Sequence, residues 1–222
     1  DDALLVRFGE RIGADTNAQV HRLAARLRDR SPCWLRALVP AYASLAVFFD
    51  ADRLPNGDAH AAVGDTVAAL LSDPSSRPSA DSVLHEVPVC YGGASGEDLV
   101  EAAQALGLDA GTLIARHSGP LYTVAMIGFA PGFPYLLGLD SALALPRLAT
   151  PRTRVPAGSV AIGGAQAGIY PRASPGGWRL LGRTPRVLFD VARAQPALLQ
   201  PGDRVRFVPI DEATFRDMAG SP

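Results

Sequence analysis

One glycine- and proline-rich region dominates the sequence, reading GFAPGFPYLLGL at residues 128–139 and PRTRVPAGSVAIGGAQAGIYPRASPGGWRLLGRTP at residues 151–185. Between its Gly/Pro clusters stand three apolar pieces of strand length, at residues 159–162, 167–170 and 178–181. Glycine permits positive φ and proline fixes φ, so each cluster is typical of a turn. Short apolar strands separated by frequent turns predict a β-barrel or a β-sandwich.

The first third of the chain predicts a smaller α+β domain. Strands are expected at residues 3–8, 34–39 and 44–49, and helices at 15–30 and 58–71. Asp15 or Thr16 would begin the first helix, and Asn56–Gly57–Asp58 marks the start of the second. Residues 72–82 are rich in serine and proline and lack periodicity. We therefore predict two domains, at residues 1–80 and 81–222.

Further elements flank the central region. A strand is predicted at 83–91, with Pro88 placing it at an edge or a bulge. Ser95 and Asp98 form a capping box for a helix at 95–106, and Asp109 begins a short helix that ends near His117. The remaining elements are predicted strands at 121–127, 186–191 and 204–209, a helical turn at 196–199 and a C-terminal helix at 211–218.

Composition excludes several classes of function. The net charge is −1, which gives no field that would attract nucleic acid or an anionic membrane. All 21 basic residues are arginine, so the chain has neither a P-loop lysine nor a Schiff-base lysine. Cys33 and Cys90 are far apart, and no residue grouping has metal-ligand spacing. With no long apolar run and no signal-peptide pattern, we expect a soluble cytoplasmic protein without a metal site.

The central region resembles the KipI family of 5-oxoprolinase B subunits, also described as allophanate hydrolase subunit 1 or carboxyltransferase domain C/D. The matching pieces are GFAPGFPYL at 128–136, PR-x-x-VPAGSVAIGG-x-Q-x-GIYP at 151–171 and SPGGW-x-L-x-GRTP at 174–185. A looser similarity covers the whole chain. Ala167 departs from the pattern, where a larger polar residue, often Thr, is expected. The resemblance implies an α+β chain, a small N-terminal α/β domain followed by a cyclophilin-like β-barrel.

The resemblance also implies a function. It identifies one component of an ATP-dependent 5-oxoprolinase, which opens the cyclic amide 5-oxoproline to L-glutamate as ATP is hydrolysed. The partners would be the C subunit (a KipA-type chain, allophanate hydrolase subunit 2) and the A subunit, with ATP bound by the complex and not necessarily by this chain. Two alternatives stay open, inhibition of a sensor histidine kinase and a carboxyltransferase or allophanate hydrolase role.

Candidate site residues combine this resemblance with residue chemistry. Arg152 and Arg183 stand inside the family's motifs, and arginine grips carboxylate or phosphate bidentately. Gln166 and Tyr170 are suited to orienting a cyclic amide by hydrogen bonds. A further group of expected ligand contacts comprises Gly132, Phe133 and Ser174.

Two roles are open for His117, which ends a predicted helix. It is either a general base or a donor that orients the ligand, or it is a structural residue that binds the last helix carbonyls. Two interpretations are also open for residues 128–135. Their backbone N–H groups face an anion, since glycine allows close approach, or the segment is a tight corner filled by aromatic side chains.

Overall fold

The computed structural model describes residues 2–55, 57–73 and 82–220. Within it the chain forms two compact units, which divide after Ser82. Most of the predicted boundary segment, residues 74–81, lies outside the described residues, as does Asn56. Within the described residues, no helix combines the length and the apolar character that a membrane crossing requires.

The first unit is a three-stranded antiparallel sheet with two helices. Its strands are in the order β1–β3–β2. The elements are β1 (Ala3–Arg7), α1 (Ala14–Arg30), β2 (Leu35–Pro40), β3 (Ser44–Phe49) and α2 (Ala59–Ser72). Alternate residues of β3 (Leu45, Val47 and Phe49) are buried in one core with the apolar stripe of α1.

Of the two helix N-termini predicted in this unit, one is wrong and the other is confirmed. Gly13 is the N-cap of α1 and gives no side-chain bond, so the cap predicted at Asp15 or Thr16 is wrong. Asp58 caps α2, because its carboxylate accepts a hydrogen bond from the N–H of Ala61 at 3.1 Å.

The second unit is a closed seven-stranded β-barrel with three helices, which confirms the predicted α+β class and the barrel. The barrel order is β11–β4–β12–β5–β6–β9–β8, and every pair is antiparallel except β12 with β4. The elements are β4 (Leu84–Tyr91), α3 (Leu99–Ala105), α4 (Ala110–Ser118), β5 (Tyr122–Ile127), β6 (Pro134–Leu137), β7 (Arg152–Val155), β8 (Ser159–Gly163), β9 (Gln166–Ile169), β10 (Ser174–Gly176), β11 (Arg179–Arg183), β12 (Arg204–Ile210) and α5 (Glu212–Gly220).

Several expectations for this unit are corrected. Residues 186–191 and 196–199 form neither a strand nor a helical turn; an isolated bridge pairs Phe189 with Ala197. Strand β4 is part of the barrel wall and is not an edge strand, because it pairs with β11 on one side and with β12 on the other. Pro88 lies beyond the pairing with β11, which covers only Cys90 and Tyr91, and stands opposite Val208 in the parallel ladder with β12.

The barrel strands have two different buried faces. Val160 and Ile162 of β8 belong to an inner core to which all seven barrel strands contribute, together with α3 and α4. Ala161, between them, belongs to a separate outer cluster, because successive strand side chains point to opposite faces. The outer aromatic cluster consists of Ala130, Phe133, Val155, Ala161, Tyr170, Trp178 and Leu180.

Candidate functional site on the outer face of the barrel

Aromatic rings of the outer cluster stand directly on glycine residues of the barrel strands. A Cβ atom on Gly168 would come 2.9 Å from the Phe133 ring, and one on Gly163 would come 2.8 Å from the Trp178 ring. Such distances are too short for real Cβ contacts, so only glycine allows the rings to lie this close to the sheet. The rings of Phe133 and Trp178 meet edge to face, with centroids 5.7 Å apart. The glycine pattern of the central region thus builds an aromatic wall.

A two-stranded ribbon, β7 with β10, adds polar groups to this wall. Ser174 pairs with Val155 and Gly176 pairs with Arg152, with a register shift between them. A side chain at Gly176 would collide with the hydroxyl of Tyr170, so the ribbon lies against that phenol. The ring of Tyr170 is 5.2 Å from that of Phe133. Four of the predicted site residues are therefore brought together, namely Phe133, Arg152, Tyr170 and Ser174.

Asp98 is a site residue that the sequence reasoning missed. The predicted capping box of Ser95 and Asp98 is wrong, because Ser95 ends a short 3₁₀ turn and Asp98 makes no side-chain cap to α3. Its Oδ1 instead accepts a hydrogen bond from Arg152 Nη2 at 2.6 Å, and its Oδ2 accepts one from the N–H of Leu180 at 2.7 Å. The hydrogen bond to Asp98 raises the pKa of Arg152. These partners are 54 and 82 residues away in sequence, so no local pattern reveals them.

Arg147 is a second residue that the sequence reasoning missed. Its guanidinium carbon lies 5.6 Å from the centroid of the Trp178 ring, which is a cation–π distance. Burial raises the pKa of Tyr170, while a hydrogen bond from the Trp178 N–H and the charges of Arg147 and Arg152 act in the opposite direction. Both guanidinium groups are thus close enough to act on this phenol.

The loop at residues 128–133 uses three of its backbone N–H groups for hydrogen bonds within the loop. The N–H of Gly128 bonds to the carbonyl of Phe133, and the N–H of Phe133 bonds to that of Ala130. A third bond, from Ala130 N–H to the Gly128 carbonyl at 2.7 Å, closes a three-residue turn around Phe129 at φ +65°. Three N–H groups expected to face an anion are thus used inside the loop. The turn instead holds the Phe129 ring 61% exposed beside Phe133 and Tyr170.

His117 is enclosed in the inner core, away from this site. Its Nδ1 is 2.8 Å from the hydroxyl of Tyr91, its ring stacks on Phe207 at 4.8 Å, and its carbonyl accepts a hydrogen bond from Tyr122. The ring is fully buried, and this burial lowers the pKa of His117 to about 3. A neutral, enclosed imidazole fits a packing role, and proton transfer by His117 stays a prediction.

The other three predicted site residues, Gly132, Arg183 and Gln166, lie in different surroundings. Gly132, at φ +78°, packs against Phe189. Arg183 donates to the carbonyl of Ala157 at 2.7 Å and lies over the Phe215 ring of α5. Gln166 shares a strand face with Tyr170, but four residues separate them, about 13 Å at about 3.3 Å per residue. Their ligand contacts stay predictions.

The arrangement is suited to binding a small anionic molecule with a flat, partly apolar body. The Phe129 and Phe133 rings supply apolar surface, and Tyr170, Ser174 and Arg152 supply directional polar groups. Among the described residues, no three His, Cys, Asp or Glu side chains are grouped so that they could hold a metal ion.

Comparison with known proteins identifies relatives along nearly the whole chain. The model of the carboxyltransferase domain, subdomain C and D, matches residues 1–199. The 5-oxoprolinase B subunit of Bacillus subtilis (strain 168) is 40% identical over 221 residues, which is 97% of this chain and 92% of the relative.

Solved structures show the same similarity. TTHA0988 superimposes with a TM-score of 0.80 at 42% identity over 94% of this chain. The uncharacterized protein PH0987 from Pyrococcus horikoshii superimposes with a TM-score of 0.59 at 43% identity, over 97% of both chains. This chain spans 40% of TTHA0988, so that protein contains a large part that has no counterpart in this chain.

Proposed function

The chain belongs to the family of carboxyltransferase C and D domains and, within it, to the group of 5-oxoprolinase B subunits, and on this basis we propose that it works as one component of an ATP-dependent 5-oxoprolinase. The observation that carries the proposal is the 40% identity to the Bacillus subtilis protein over 97% of this chain. The complex would open 5-oxoproline to L-glutamate while ATP becomes ADP and phosphate.

The coupling to ATP has a chemical reason. A lactam carbonyl is a weak electrophile, and transfer of the γ-phosphoryl group to its oxygen releases ADP and creates a leaving group. Water then attacks the carbonyl carbon, and the C–N bond breaks as the nitrogen takes a proton. A second water hydrolyses the resulting acyl phosphate to a carboxylate and inorganic phosphate. The site must therefore orient a small cyclic amide and tolerate developing negative charge.

The outer-face site supplies groups for the substrate part of this task. Arg152 is the anion-binding residue of the proposal, with Ser174 beside it on the ribbon. The hydroxyl of Tyr170 orients the lactam, and Phe133 provides an apolar wall. Further roles are proposed for Arg183 in anion binding, Gln166 in amide binding and His117 in proton transfer.

ATP is proposed to bind to the complex and not necessarily to this chain, which has no P-loop lysine. The chain contains no lysine, and the glycine-rich loop at 128–133 uses three of its N–H groups internally. The partners of the proposal are the C and A subunits of the enzyme.

The test is 5-oxoproline-dependent phosphate release by this chain alone and after co-expression with the A and C subunits. Release only by the full mixture supports the proposal. An inactive mixture of folded proteins overturns it and favours kinase inhibition or chemistry on another amide.

A matched pair of variants tests the site. Arg152→Lys loses the planar donor fork, and we expect kcat/KM to fall at least about 10-fold. Arg154→Lys, on the same strand but exposed, is the control and should change kcat/KM by less than about twofold. Equal effects of the two substitutions would remove Arg152 from the site.

A further inference from the structure

The guanidinium of Arg152 has one occupied side and one unoccupied side. Its Nη2 donates to Asp98 at 2.6 Å, and its Nε is 3.7 Å from an oxygen of Glu97. Its Nη1 is shielded from solvent and has no hydrogen-bond partner among the described residues. The side chain as a whole is 24% exposed, so the group lies near the surface and not in the core.

Ser174 offers a second donor of the same kind on the neighbouring strand. Its Oγ is also shielded and without a partner in the described part of the chain. Ser174 pairs with Val155, which is buried in the outer cluster, and Arg152 pairs with Gly176, which touches the Tyr170 hydroxyl. Both residues thus belong to the ribbon face that meets the barrel. Two shielded donors without acceptors are unfavourable unless a ligand or a water molecule supplies the acceptors.

We propose that Arg152 Nη1 and Ser174 Oγ form a subsite for one carboxylate group of a small ring-bearing acid, and that Asp98 is the residue that positions Arg152 for it. The subsite rests on the proposed function in that 5-oxoproline is the acid expected to fill it. A carboxylate has two oxygens and so takes one donor on each.

The local charges favour a single negative charge on the ligand. Asp98 and Glu97 already place two carboxylates beside Arg152, at 2.6 Å and 3.7 Å. Arg147 contributes one more positive charge near Tyr170. These four charges sum to zero, so the set has no surplus positive charge to balance a second negative charge. A monoanionic carboxylate therefore meets less repulsion from Asp98 and Glu97 than a doubly charged phosphate does.

Asp98 is suited to positioning because both of its oxygens are fixed. One binds Arg152 and the other binds the backbone N–H of Leu180 in β11, so the guanidinium is tied to the barrel. Arg179 and Glu101 form a comparable ion pair at 2.8 Å, but the Glu101 side chain is 67% exposed. Glu101 lies on α3, three residues after Asp98, and provides a matched control.

The experiment is an NMR titration of the full chain labelled with ¹⁵N-arginine, in which the Nε–H signal of Arg152 is assigned with Arg152→Lys. The probes are L-5-oxoproline and 2-pyrrolidinone, which has the same lactam ring without the carboxylate. We expect L-5-oxoproline to shift the Arg152 signal and 2-pyrrolidinone to leave it in place.

Variants then separate the subsite from general stability. Ser174→Ala should weaken L-5-oxoproline binding about 10-fold and leave 2-pyrrolidinone affinity unchanged, as expected for one lost bond to a charged group. Ser174→Thr keeps the hydroxyl and should restore binding to within about threefold. Asp98→Asn should weaken the acid at least about 10-fold, whereas Glu101→Gln should change it less than about twofold.

Three results overturn the subsite: no shift of the Arg152 signal by L-5-oxoproline, equal losses for both probes in Ser174→Ala, or unchanged affinity for the acid in a folded Asp98→Asn protein. If Asp98→Asn does not fold, Ser174→Ala decides. Turnover by the reconstituted complex with an unchanged KM in Ser174→Ala rejects the subsite and keeps the enzyme. If the complex is inactive but binding of the acid depends on Ser174, the proposed enzyme function is wrong and the proposed subsite is supported.

Discussion

His117 and Arg152 are both largely withdrawn from solvent in the barrel unit, yet their surroundings shift their pKa values in opposite directions. His117 is surrounded by the aromatic rings of Tyr91, Tyr122 and Phe207, and burial lowers its pKa to about 3. Arg152 is held by the carboxylates of Asp98 and Glu97, and its pKa is raised.

The difference shows that the partner, and not burial alone, decides whether a group stays ionised. An imidazole among rings keeps its neutral form and contributes packing. A guanidinium beside a fixed carboxylate keeps its charge and its orientation, which are the properties that ligand binding needs. Arg152 is therefore suited to the anion binding that we propose for the outer site, whereas the surroundings of His117 favour packing.

The largest expected effect is on the charged side of this comparison. Asp98→Ala leaves Arg152 without its buried partner and leaves the Leu180 N–H unpaired, and we expect the barrel unit to lose about 3 kcal/mol. Glu101→Ala removes the exposed partner of Arg179 and should cost less than about 1 kcal/mol. Urea unfolding followed by Trp178 fluorescence in a Trp34→Phe background measures both. Similar losses for the two variants would mean that Asp98 is an ordinary surface charge.

The neutral side of the comparison predicts a pH dependence. Unfolded His117 takes up a proton near its ordinary pKa of 6.5, whereas the native residue does so only near about 3. The contribution of the neutral imidazole to the free energy of unfolding is therefore complete above pH 6.5 and is lost as pH falls toward 3. Between pH 7 and pH 5 this amounts to about 2 kcal/mol. The measurement is the free energy of unfolding as a function of pH for the wild type and for His117→Leu. The wild type should lose more stability between pH 7 and pH 5; parallel curves would show that the native imidazole titrates normally.

A smaller effect tests the aromatic wall of the outer site. Gly168→Ala puts a methyl group against the Phe133 ring and the Pro134 carbonyl, and we expect a loss of about 1 to 2 kcal/mol from overpacking. Gly64→Ala in α2 is the control, since no atom lies within 4 Å of its added Cβ; it should stabilise by a few tenths to about 1 kcal/mol. Thermal unfolding compares them. A neutral Gly168→Ala would mean that the ring moves away freely.

The smallest effect concerns the strained turn at the rim of the outer site. Phe129 has φ +65°, a conformation that costs residues with a Cβ about 1 kcal/mol or more. Phe129→Gly should therefore be about 1 kcal/mol more stable than Phe129→Ala, since both lose the ring and only alanine keeps the strain. Equal midpoints of denaturation for these variants would show that the turn relaxes without cost.

Local patterns in the sequence predicted most of the elements. The Gly/Pro clusters and apolar pieces of the central region correspond to β8, β9 and β11, and Asp58 and Asp109 cap their helices as expected. Some helix caps were predicted wrongly, and so was one strand. Within residues 186–191 only Phe189 pairs, in an isolated bridge with Ala197, whereas the ribbon strands β7 and β10, which carry turn-like residues, form by pairing with each other.

The sequence by itself determined the α+β class, the barrel, the family and the segment that carries the site, because periodicity, turn chemistry and motifs are local properties. Only the tertiary structure decided which residues meet. It joined Asp98 to Arg152 across 54 residues and to Leu180 across 82, and it separated His117 from both. Barrel closure fixes these neighbours, since the register of each strand depends on every strand beside it. The carboxylate of Asp98, which the sequence predicted to cap a helix, is thus the counter-charge of Arg152 in the candidate site.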